Sequence, residues 1–199
     1  MKTLAQAISS FHPVTATVVS IEDQFRVIAE AVFNSGYFLV NKGKEERRIY
    51  PVDIEFYMFA EYDTKDEWRR DVNMYHKGKN VPYFPKEGSL YPHRSGVDYT
   101  FENKDEQYRA SFLIRAYEVD GRLEDHPTYL WEDMFGECRC DGTGLNVVWK
   151  DEQHPRPGVV VSGIRHNLNG RKGVRDTKKW RFRRVYELSA NEHLTPSLD

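Results

Sequence analysis

The stretch RRIYPVDIEFYMF, residues 47–59, sets two carboxylates and a phenol, Asp53, Glu55 and Tyr57, at alternating positions. In an extended chain successive side chains point to opposite faces. Val52, Ile54, Phe56 and Met58 then form a core face, and Asp53, Glu55, Tyr57 and Phe59 share the other. A carboxylate beside aromatic rings can take a proton from water while a ring holds a flat ligand. The same alternation also describes an antiparallel strand with one face in water. Taken alone, the pattern leaves both readings open.

Other residues add chemistry. Arg115 sits in the apolar run FLIRAYEV. A buried arginine needs a partner, and Glu55 or Asp53 would serve, with or without catalysis. His76, His93, Asp98 and His126 are scattered, without the spacing of metal ligands, so no metal site is expected. Cys138 and Cys140 stand one residue apart in GECRCDGTG with no second pair. That is half a zinc site at most, and it excludes a disulfide framework; two thiols near a turn is the plain reading.

Charge is uneven. The net charge of −2 favours neither nucleic acid nor membrane. From Arg165 to Arg184, however, nine Lys or Arg stand against one acid, Asp176, with Trp180 and Phe182 among them. This is the pattern of a phosphate-contacting stripe, and also of a solvated face.

These residues must be held by a folded scaffold. A chain of 199 residues fits one domain with a real core, and 14% aromatic content predicts a core rich in Tyr and Phe. The N-terminus has no sustained apolar run and nothing is long enough to span a bilayer, so a soluble, intracellular (cytoplasmic) protein is expected, with no membrane partner. Residues 1–19 read as an N-terminal leader, docked or loose, 20–190 as the domain and 191–199 as a tail. Phe25, Ile28 and Val32 recur at helical spacing, and with Ser20 as a cap they predict a helix over 21–34. Residues 37–41 and 47–59 read as a hairpin, and 60–88 as a long charged loop with one helical turn. SLYPH, VDYTFEN and YRASFLIRAYEV read as strands; in the last, Tyr117 falls on the face of Arg109, Ser111, Leu113 and Arg115. TYLWEDMFG reads as a short helix, and PGVVVSGI and WRFRRVYEL as late strands. Helices and strands mix without βαβ alternation, which predicts an α+β domain with a mixed or antiparallel sheet and peripheral helices.

The order of these segments resembles the alkyladenine (3-methyladenine) DNA glycosylase family. AEAVFNSGYFLVNKGKEERRIYPVDIEFYMF is similar to its opening helix, hairpin and strand, with Glu55-Phe56-Tyr57 as the signature. His76 in MYHKG, the strand GSLYPH, FLIRAYEV with Arg115, HPTYLWEDMFG, VVVSGIR and KKWRFRRV follow in the family's order. The resemblance spans residues 28–187. It implies hydrolysis of the N-glycosidic bond of alkylated or deaminated purines in damaged DNA, after the base is flipped into a pocket. Glu55 would be the general base and Arg115 would place it. Tyr57, His76 and His93 would stack on the base, and Asp98 would stand where the family has a gating amide. Arg94, Arg165, Arg171, Lys172, Arg175, Lys178 and Lys179 are expected along the DNA backbone. A monomer without metal or organic cofactor is expected.

The chain departs from the family in LYPHRSGVD, residues 90–98, where the hairpin is shorter and lacks the aromatic wedge. Single-stranded or mismatched substrates then become more plausible, because little unstacking is required. A nucleic-acid-binding module without turnover, and a hydrolase of free modified nucleosides, are the alternative readings.

Overall fold

The computed structural model describes residues 2–42, 44–62, 64–78, 81–86, 88–136, 145–166 and 177–186. Within them, helix α1 (Leu4–Ser9) and helix α2 (Val18–Asn34) precede the hairpin β1 (Gly36–Lys42) and β2 (Glu45–Ala60). A 3₁₀ turn at Glu67–Arg69 interrupts the long segment before β3 (Ser89–His93), β4 (Gly96–Thr100), β5 (Tyr108–Val119) and β6 (Arg122–Glu124). Helix α3 (Tyr129–Phe135), β7 (Leu145–Asp151), β8 (Val159–Gly163) and β9 (Arg181–Val185) complete the order.

The nine strands form one curled antiparallel sheet, a half-barrel, in the order β3-β4-β5-β2-β1-β7. β6 extends β5, and β9 joins β2 with β8 at its side. The antiparallel sheet and the single domain agree with the sequence reading. The balance is more β than the α+β reading expected: the domain is mostly β with few helices, and of the mixed or antiparallel sheet expected, every strand pair described is antiparallel.

The core lies between one face of the sheet and α2. Phe25 stacks on Phe56 at 4.3 Å, and Trp180 meets Phe25 edge-on at 5.2 Å. Phe112 and Phe182 surround Phe56. Each such buried ring contributes roughly 1.5–3 kcal/mol. Leu4, Ala7, Ile8 and Phe11 belong to the same cluster, so the N-terminal segment is docked. Helix α2 begins three residues earlier than expected, because Thr17 rather than Ser20 is its cap: Thr17 Oγ1 accepts the Ser20 N–H, and Ser20 Oγ accepts the Thr17 N–H.

Two local features shape the sheet. The register of β2 against β5 shifts on either side of Asp53. Beyond that bulge the alternation inverts, so Tyr117 is fully buried in the main core, not on the face of Leu113 as expected. In the β3–β4 hairpin, His93 pairs with Gly96 around Arg94-Ser95. Gly96 has φ +139°, and a Cβ there would lie 2.9 Å from the Pro127 carbonyl oxygen, so only glycine closes this turn.

His154, just after β7, yields a stability prediction. Its Nδ1 accepts the Arg156 N–H at 2.9 Å, while its buried Nε2 has no hydrogen-bond partner. Burial, and then repulsion by Arg184, lower its pKa from 6.5 to about 4. The unfolded chain therefore binds the extra proton first, and stability falls as pH drops from about 6.5 to about 4. The expected slope from this residue is at most about 1.4 kcal/mol per pH unit. Urea denaturation across that window, compared with His154→Phe, checks it; parallel pH dependences would contradict it.

Candidate functional site

The sheet face opposite the main core carries the polar residues. Glu55, Leu113 and Asp98 lie in one row across β2, β5 and β4, with Arg181 opposite Glu55 on β9 and Tyr91 opposite Asp98 on β3. Tyr57, Ser111 and Thr100 form the next row. This face is not in water. The segment after β2 folds across it, with Met74 packed on Tyr57 and Leu113.

That cover segment is fastened at both ends. The Asp71 N–H donates to the Met58 carbonyl at 2.9 Å, and Arg165 Nη1 reaches Asp71 Oδ2 at 2.6 Å. Farther along, Arg109 on β5 donates to Glu61, to the carbonyls of Val81 and Pro82, and to Glu102. Glu102 also accepts the Phe84 N–H at 2.9 Å.

Glu55 is 1% exposed. Its Oε2 accepts the Tyr57 hydroxyl at 2.9 Å. Its Oε1 is buried without a hydrogen-bond partner, with Arg115 Nε at 3.9 Å and Arg181 Nε at 4.0 Å. Arg181 is itself fixed by Asp53, through Nε at 3.0 Å and Nη2 at 2.7 Å, and Arg183 binds the same carboxylate. Burial works against the Arg181 charge, but the Asp53 hydrogen bonds together with the Asp53 and Glu55 charges and the neighbouring Tyr57 outweigh it and the pKa is raised. Burial, and then the Glu55 charge, push the Tyr57 phenol well above its ordinary range, so it remains a donor. One carboxylate oxygen is thus held and the other is bare in a cationic field. Oε1 is therefore an acceptor that no donor among the described residues engages.

The residues expected to stack are present but covered. The Tyr57 ring lies under the Arg165 guanidinium at 4.7 Å. His76 is 1% exposed; its Nδ1 is 2.5 Å from Glu102 Oε1 and its Nε2 3.9 Å from Asp98 Oδ2. Phe84 and Tyr91 wall its ring at 5.6 and 5.2 Å. His93 stacks on Tyr75 at 4.1 Å. Its Nδ1 accepts the Ser95 N–H, which leaves the proton on Nε2 to meet Asp98 Oδ1 at 3.1 Å. Asp98 Oδ2 accepts the Ser111 hydroxyl at 3.1 Å. The structure therefore gathers Glu55, Tyr57, His76, His93, Asp98 and Arg115 on one face, and it binds both Asp98 oxygens inside the protein.

The basic stretch divides. Arg165, expected on a DNA backbone, is instead fully buried, donating to the Phe56 carbonyl at 2.8 Å and paired with Asp71; burial of a guanidinium requires those partners. Arg184 is likewise buried, donating to the Phe33 carbonyl. Lys178 lies over Trp180 at 4.7 Å, Lys179 is exposed, and Arg94 is exposed at the hairpin tip. Arg171, Lys172, Arg175, Cys138, Cys140 and the 191–199 tail lie outside the described residues. Among the described residues no group of three His, Cys, Asp or Glu could hold a metal ion, and no helix is long and apolar enough to cross a membrane.

Sequence reasoning missed Arg181, Glu102, Arg109 and Asp71. Arg181 had a signal, since it precedes Phe182 in WRF, where alternation sends the two side chains to opposite faces. The others depend on how the cover segment folds back, which no short-range pattern records. Comparison of the chain with family models, curated proteins and solved structures finds no match.

Proposed function

We propose that this protein is a monofunctional glycosylase that hydrolyses the N-glycosidic bond of alkylated or deaminated purines in a DNA strand, on a scaffold of the alkyladenine DNA glycosylase kind. The observation that carries this reading is Glu55, with Oε2 fixed by Tyr57 and Oε1 bare between Arg115 and Arg181. A water seated at Oε1 gives a proton to Glu55, its oxygen bonds to C1′ of the sugar, and the C1′–N bond breaks with its electron pair leaving on the base. Until that proton is transferred, the negative carboxylate stabilises the oxocarbenium-like sugar as the C1′–N bond lengthens. Arg115 and Arg181 position the carboxylate. The ordered motifs from Glu55-Phe56-Tyr57 to KKWRFRRV support the same reading. No metal or organic cofactor enters it, and a monomer suffices.

Substrate entry requires the cover segment to shift, since Glu55 is 1% exposed and Arg165 occupies the Tyr57 ring. That same burial favours a second reading, a binding module in which the Glu55 network is structural. The test is base release from single- and double-stranded oligonucleotides carrying alkylated or deaminated purines, and from the free nucleosides. Release from strands supports the glycosylase. Release from nucleosides alone points to a nucleoside hydrolase, and salt-sensitive binding without release points to the binding module.

A further inference from the structure

Between two buried residues of the cover segment, Met74 at 2% and His76 at 1% exposure, stands Tyr75 at 45%. Core packing does not account for an aromatic ring held out at this position. One face lies parallel to His93, with 4.1 Å between centroids and 24° between planes. Its hydroxyl meets Ser95 Oγ at 2.7 Å, so the ring is tied to the tip of the β3–β4 hairpin. The Ser95 hydrogen bond first, and the Arg94 guanidinium after it, lower the phenol from its ordinary value.

The turn that carries Tyr75 is braced. Lys77 Nζ donates to the carbonyls of Val72 and Met74, and Asp71 Oδ1 accepts the Asn73 N–H at 2.9 Å. Val72, in the same braced segment, is 66% exposed, and the exposed Arg94 sits within hydrogen-bonding reach of the Tyr75 hydroxyl, so a positive charge lies at the ring's edge. The ring is also linked to the site itself: His93, its stacking partner, bonds Asp98, which shares a sheet row with Glu55.

We propose that Tyr75, backed by His93 and flanked by Arg94, is a stacking platform for an unpaired base of a single DNA strand next to the one entering the Glu55 site. The inference rests on the reading of that site as acting on nucleic acid. An exposed ring with a cation at its edge is the element that proteins use to hold single strands, because every base has a π-face. The tip of the β3–β4 hairpin, Arg94-Ser95, has no aromatic ring of its own, and the cover segment sets Tyr75 against it.

The test is a fluorescence-anisotropy titration of an undamaged, labelled single-stranded DNA with the full chain and with Tyr75→Leu, Tyr75→Ala and Tyr75→Phe. Leu keeps the bulk and loses the π-face; Phe keeps the face and loses the Ser95 bond. Tyr75→Leu and Tyr75→Ala are expected to weaken binding roughly 5- to 150-fold, and Tyr75→Phe to remain within about twofold. Equal affinity of wild type and Tyr75→Leu, or an equal loss in Phe and Leu, would overturn the proposal, as would no binding by the wild type. Because binding is read without turnover, a chain that binds through Tyr75 but releases no base overturns the glycosylase reading alone. Base release that survives beside Tyr75-independent binding overturns this inference alone.

Discussion

Glu55→Gln is expected to slow base release by about 10²–10⁴-fold, the range lost when a general base is removed. The amide has the shape of the carboxylate, so Tyr57 can still donate to its oxygen at the position now held by Oε2. The other end of the side chain then presents an N–H₂ group to Arg115 and Arg181, where a proton acceptor stood 3.9–4.0 Å away. A water there loses its base and the developing sugar cation loses its counter-charge. Single-turnover excision with excess protein reads this loss, and a salt titration of binding should leave the two proteins alike. Excision by Glu55→Gln at the wild-type rate would return Glu55 to a structural role.

Arg165→Met is expected to destabilise the fold by about 3–5 kcal/mol, the cost of breaking one side of a buried ion pair. Asp71, 4% exposed, would keep its charge without Arg165, and the Phe56 carbonyl would lose a donor. The Tyr57 and Trp180 rings would lose the guanidinium packed at 4.7 and 5.2 Å. Urea denaturation measures the loss. Adding Asp71→Leu should recover part of it, because no buried charge then stands alone. A loss under about 1 kcal/mol would show that the pair is not load-carrying and would restore Arg165 as a candidate phosphate contact.

The two substitutions also mark where sequence reasoning reached and where it stopped. Alternation in β2 was enough to separate Phe56 from Glu55 and Tyr57, because a period of two is a property of the strand alone. It did not show that the second face is covered, since that depends on Met74, Asp71 and Arg109 meeting Tyr57, Arg165 and Val81, partners distant in the chain. Asp53 and Arg165 were legible as charges but not as a pair of anchors, because their partners Arg181 and Asp71 are supplied by distant segments. Tyr117 was misplaced by the bulge at Asp53, a one-residue change of register that composition does not announce. β7 escaped notice because an edge strand, LNVVWKD, half exposed and flanked by polar residues, keeps little of the strand pattern.

The central claim is that Glu55-activated water cleaves a glycosidic bond, and one reaction tests it most directly. Wild-type protein in excess is mixed with a single-stranded oligonucleotide containing an alkylated purine, in water enriched in ¹⁸O, and the products are weighed by mass spectrometry. The account predicts an unlabelled free base and an abasic strand that carries the heavy oxygen at C1′, with neither formed by Glu55→Gln. An intact strand with no free base, or equal release by both proteins, would contradict it.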